Sequence, residues 1–152
     1  MKTWVLRAAA IGALILILRA ALGFATVHWP TQAYLVPPVC LFLLLTTIGW
    51  WGTADGRADR PTQLDLETGS DLTIPWLKTA AAAGFGSGLV AWILDRMPGL
   101  YLGDYGIVEE LTGNAAFLTL LILTPALLGV AVGRMLAGRR RRTTSDLRSA
   151  RR

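Results

Sequence analysis

Residues 8–27 read AAAIGALILILRAALGFATV, twenty residues with a single charge, Arg19. About 20 helical residues cross a bilayer core of about 30 Å, so this stretch alone asks for a membrane. Three more runs of the same kind follow, roughly Ala33 to Trp51, Trp76 to Leu94 and Asn114 to Leu136. None alternates apolar and polar residues in the manner of a barrel strand. The expected fold is therefore all-α. It is a polytopic membrane protein of four transmembrane helices, a single domain over residues 1–138 followed by a basic tail over 139–152.

Composition agrees. Of 152 residues, 53% are hydrophobic and only 16% charged, where a soluble domain carries about 25% charge. The pI near 10.1 could point to nucleic acid. However, eight basic residues lie between Arg134 and Arg152, so the excess belongs to the tail and a nucleic-acid partner is not expected. The lone Cys40 excludes an intrachain disulfide and a cysteine-based metal site, and reads as a small buried hydrophobe. Lys2 and Arg7 ahead of an apolar stretch resemble a signal peptide. The apolar character runs past Arg19 to Val27, longer than a signal core, so a retained first helix is expected.

The charges orient the bundle. With the N-terminus in the cytoplasm, thirteen of the fifteen Lys and Arg residues fall on the cytoplasmic side: Lys2, Arg7, Arg57, Arg60, Lys78, Arg134, Arg139 to Arg142, Arg148, Arg151 and Arg152. Only Arg96 falls outside, and Arg19 lies within the membrane. This is the positive-inside pattern. It predicts a plasma-membrane protein with both termini cytoplasmic. The aromatics follow it. Trp4, Trp50, Trp51 and Trp76 fall at inner span ends, and Trp29, Trp92, Tyr34, Tyr101 and Tyr105 at or near outer ones, the headgroup levels such rings favour.

Arg19 is the sharpest candidate for function. A central Arg costs about 2.5–3.5 kcal/mol on insertion scales. Gly12, Gly23 and Thr26 share its helical face, with Leu14, Ile17 and Phe24 opposite. Small residues beside a charge predict an inward stripe, with Arg19 as an anion or substrate contact, or else a snorkelling or structurally paired charge. On the third span Ala80, Gly84, Gly88, Ala91 and Asp95 share a face. Asp95 ends that stripe as a possible partner of Arg19, or as a headgroup residue. Gly84 with Gly88, and Gly129 with Gly133, form GxxxG pairs that let helix backbones approach. Gly84, Gly86 and Gly88 do not make a dinucleotide fingerprint, because no strand precedes them.

The remaining polar residues carry less. Gly52 to Pro75 reads as a polar loop in which Asp55, Asp59, Asp65, Glu67 and Asp71 are solvated. Glu109 and Glu110 precede the fourth span, where the helix dipole favours acids. His28, the only histidine, reads as interfacial. Pro37, Pro38 and Pro125 permit kinks. Arg139, Arg140, Arg141 and Arg142 form a juxtamembrane cluster that anionic lipid favours. No nucleophile–base pair, metal set or cofactor motif is visible, so neither an enzyme nor a metal or cofactor site is expected.

The segments Leu72-Thr73-Ile74-Pro75-Trp76-Leu77-Lys78 and Leu102-Gly103-Asp104-Tyr105-Gly106, set in four short spans, resemble those of small actinobacterial membrane proteins grouped with the drug/metabolite transporters. The resemblance implies an exporter and carries no residue role. Small multidrug exporters differ from this chain. Their first span holds a membrane-embedded Glu, where this chain has Arg19, and many insert in both orientations, which thirteen basic residues against one disfavours. Two readings remain: a transporter-type protein, expected as a parallel homo-oligomer, or a non-enzymatic accessory subunit that packs on a larger membrane protein through its glycines.

Overall fold

The computed structural model describes residues 2–59, 71–94, 108 and 110–149. Helix α1 spans Lys2–His28. A 3-10 turn, Ala33–Leu35, leads into α2, Val36–Asp59. Helix α3 is Thr73–Leu94, and a π-helical turn, Glu110–Asn114, opens α4, Ala115–Ser149. Four helical segments are long and apolar enough to cross a membrane, and the described residues contain no strand. The fold is that of a multi-pass helical membrane protein.

Local chemistry sets the helix ends. Trp29 N–H donates to Ala25 O at 2.8 Å as α1 closes before Pro30. Pro37 and Pro38 fall in the first turn of α2, where a missing N–H breaks no helical bond. Pro125 does remove one inside α4. At the start of α3 the Asp71 carboxylate accepts the Thr73 N–H at 3.0 Å. Its hydrogen bonds from the Thr73 side chain and backbone hold the Asp71 carboxyl below its ordinary 3.8. In the spans, hydroxyls bond back to their own helix: Thr79 to Pro75 O, Ser87 to Gly84 O and Thr119 to Ala115 O. That satisfies them where no water can.

The second span outruns its apolar run. The sequence places a polar loop from Gly52, whereas α2 stays helical to Asp59. The fourth likewise continues as helix into the basic stretch, as far as Ser149. Helix α2 is sustained by packing against α4, its most extensive contact in the bundle.

Each helix turns one stripe inward. On α1 the buried residues are Ala8, Ile11, Gly12, Ile15 and Ala25. On α2 they are Cys40, Leu44, Ile48, Gly52, Gly56 and Asp59. The predicted face of α3 is buried at Ala80, Gly84, Gly88 and Ala91. The outward face of α1 holds Ile17 and Phe24. Leu14, expected with them, packs against the core instead. Ile11, Ile15, Leu44, Ile48, Trp76, Leu118 and Ile122 fill the centre.

The helices associate in the order α1, α3, α4, α2, with only slight contact closing the ring between α1 and α2. Helices α2 and α4 run parallel. A Cβ on Gly52 would meet the Ala126 backbone, one on Gly56 that of Val130, and one on Gly133 those of Thr53 and Arg57. Helices α1 and α3 also run parallel, since Arg7 covers Trp76 and Gly12 faces Ala83.

Candidate functional site

The charged end of the bundle is built from four helices. Arg7, near the start of α1, makes a two-pronged ion pair with Asp55 of α2, with Nη2 to Oδ1 at 2.8 Å. One turn on, Asp59 Oδ2 accepts from Arg134 of α4, from Nη2 at 2.7 Å and Nε at 3.1 Å. The guanidinium of Arg7 also lies 5.7 Å from the ring centroid of Trp76 on α3. The starts of α1 and α3, the end of α2 and Arg134 of α4 thus meet at one end.

This corrects two expectations. Asp55 and Asp59 are not solvated loop acids. Their carboxylates are 13% and 5% exposed and each is held by an arginine from another helix. Trp76 is not a headgroup ring. It is 1% exposed, within the core, and its Nε1 has no hydrogen-bond partner among the described residues. By contrast Trp29, Tyr34 and Trp50 are well exposed. The sequence did hold a signal for the pairing. Asp55 and Asp59 follow Gly52 and Gly56 by three residues each, so acids and glycines alternate on one helical face.

The glycines work inside the chain. A Cβ on Gly84 would stand 2.8 Å from both Ala115 O and Thr119 Oγ1 of α4. One on Gly129 would overlap Gly49 O and lie 3.0 Å from Thr53 N, and one on Gly133 would lie 3.0 Å from Arg57 N. Gly88 is buried too. Backbones this close gain dispersion and Cα–H···O contacts, the terms that associate helices where water drives nothing. Gly49, Gly52 and Gly56 complete the α2 half of this clasp. In the sequence reading Gly52 and Gly56 fall in a loop, and Gly49, inside the second span, has no packing role.

Arg19 is half-buried on α1, nine residues before the helix ends at His28, about 13 Å at 1.5 Å per residue. It lies one helical turn beyond buried Ile15 and shares the face of Gly12, which meets Ala83 of α3. Continuing the α1–α3 register from Gly12 and Ala83 brings Arg19 level with Val90, beside the buried Ser87, Gly88 and Ala91. Thr26 is exposed and donates to Leu22 O at 2.8 Å. Asp95 and Glu109 lie outside the described residues, as do Tyr101 and Tyr105. At the opposite end from the ion pairs, exposed His28 stacks on Phe24 with ring centroids 3.9 Å apart, and its Nδ1 donates to Phe24 O.

Among the described residues no cluster of three or more His, Cys, Asp or Glu could hold a metal. No protein-family model matches the chain, and no curated protein matches it.

Proposed function

We propose that this chain is a small transporter-type protein of the plasma membrane, with both termini cytoplasmic, that handles an anionic substrate through Arg19. The observation that carries the reading is Arg19 itself, a cation half-buried on the core side of a membrane helix. Helical side chains lean toward the N-terminus, which directs Arg19 away from the nearer membrane face. Snorkelling is therefore disfavoured, and an intramembrane charge is by default a functional one. The adjoining α3 stripe is of small residues, Ser87, Gly88 and Ala91, all buried.

The ion pairs fit the same reading. Arg7–Asp55 is the polar link across the slight α1–α2 contact, so it would serve as the inner latch of a substrate path. Apolar side chains fill the centre of one chain, and the path would open at that seam or between chains of a parallel homo-oligomer. The basic charges support a cytoplasmic setting for this end. The resemblance of residues 72–78 and 102–106 to drug/metabolite transporter relatives points the same way. An accessory role loses its argued docking stripe, because Gly84, Gly129 and Gly133 are occupied within the chain.

Proteoliposomes offered a panel of impermeant organic carboxylates, sulfonates and phosphates test this. At least one should enter faster than into empty liposomes. Equal rates across the whole panel would refute an anion carrier.

A further inference from the structure

The outward face of α2 carries a shallow groove of about 570 Å³ lined by Thr46, Thr47, Trp50, Trp51 and Ala54. It lies away from the Gly52–Gly56 face that meets α4, so it opens toward lipid. Its threonines offer no free hydroxyl donor. Thr46 bonds back to Phe42 O at 2.6 Å and Thr47 to Leu43 O at 2.7 Å. The groove is thus apolar in effect, with the 74% exposed Trp50 at its rim.

A charge completes it. Arg57 follows Ala54 by three residues and Trp50 by seven, which puts it on the same face. It is exposed. Arg7 and Arg134 are engaged by carboxylates, whereas Arg57 has no such partner among the described residues. On a helix the Arg57 side chain leans back toward Ala54 and Trp50. An apolar trough, a tryptophan at the level where lipid chains meet headgroups, and a cation beyond it follow one another along a single face.

We propose that this face of α2 binds one anionic phospholipid of the surrounding bilayer. An acyl chain lies along Thr46, Thr47 and Ala54 between the two tryptophans, and the phosphate pairs with Arg57. A second copy of the chain is a poorer occupant, because two-fold pairing through this face brings one Arg57 toward the other. The site does not use Arg19, and stands whether or not the chain transports.

Native mass spectrometry of the full chain, with equal phosphatidylglycerol and phosphatidylcholine in the detergent, tests it. One phosphatidylglycerol should be retained over phosphatidylcholine by about fivefold, the factor one basic residue is worth near an anionic surface. Arg57→Gln should abolish that preference, and Ala54→Trp should reduce retention of both lipids. Lys78→Gln and a variant with Arg139 to Arg142 changed to Gln should keep the preference. Equal retention of the two lipids by the wild type would overturn the proposal. So would a preference that follows the tail and not Arg57, or a dimer in place of the lipid adduct. Arg57 is exposed, so its variant is expected to fold, and it decides the case if Ala54→Trp does not.

Discussion

Asp59, the last residue of α2, is 8% exposed, and one of its carboxylate oxygens accepts two hydrogen bonds from Arg134, 75 residues further along the chain. Removing one partner of such a pair takes its charge-assisted hydrogen bonds from the other. Arg134→Ala should therefore destabilise the chain by about 1.5–3 kcal/mol. The double variant Asp59→Asn with Arg134→Gln should cost less than the sum of the two single changes. Thermal unfolding in detergent measures both. Additive losses would show that the pair contributes no coupling.

The glycines separate by what surrounds them. A Cβ on Gly52 would collide with the Ala126 backbone, whereas one on Gly86 meets nothing within 4 Å. Gly52→Ala should thus cost about 1–3 kcal/mol through overpacking. Gly86→Ala should be neutral, or stabilising by up to about 1 kcal/mol through helix propensity. The same unfolding assay reads both. Similar effects at the two positions would contradict the parallel α2–α4 clasp.

The two glycine sets also show what was legible from the chain. The four spans were, because long apolar runs have one stable use. The inner face of α3 was, because Ala80, Gly84, Gly88 and Ala91 repeat at helical spacing. The end of α2 was not. Gly52, Asp55, Gly56 and Asp59 lower local hydropathy as a loop does, and what keeps them helical is contact with Arg7 and with α4, 48 to 75 residues away. Trp76 was misplaced for a related reason. Its position at a span end is visible in sequence, but the Arg7 that covers it is not.

Acid should act on the start of α3. Bonding to Thr73 lowers the Asp71 carboxyl from 3.8, so the ionised cap stabilises the folded chain above that value. The contribution is lost as pH falls through the lowered folded-state value. Asp71→Ala should therefore unfold earlier than wild type at neutral pH, and the gap should narrow as pH is taken below 3.8. A gap that does not change with pH would remove the charged cap from the account.

Orientation is open to direct labelling. A cysteine at Gln32, in the link between α1 and α2, should react with an impermeant thiol reagent added outside intact cells, in a Cys40→Ala background. A cysteine at Thr143, beyond the Arg139–Arg142 cluster, should react only after permeabilisation. The reverse pattern would invert the proposed topology.

The central claim is that Arg19 contacts the substrate, and the most direct test is uptake into proteoliposomes of whichever anion the wild type carries. Arg19→Gln removes a charge-assisted contact and should slow uptake by about tenfold or more, and Arg19→Lys should restore part of it. Membrane insertion should stay near that of wild type. Wild-type uptake by a correctly inserted Arg19→Gln would contradict the claim.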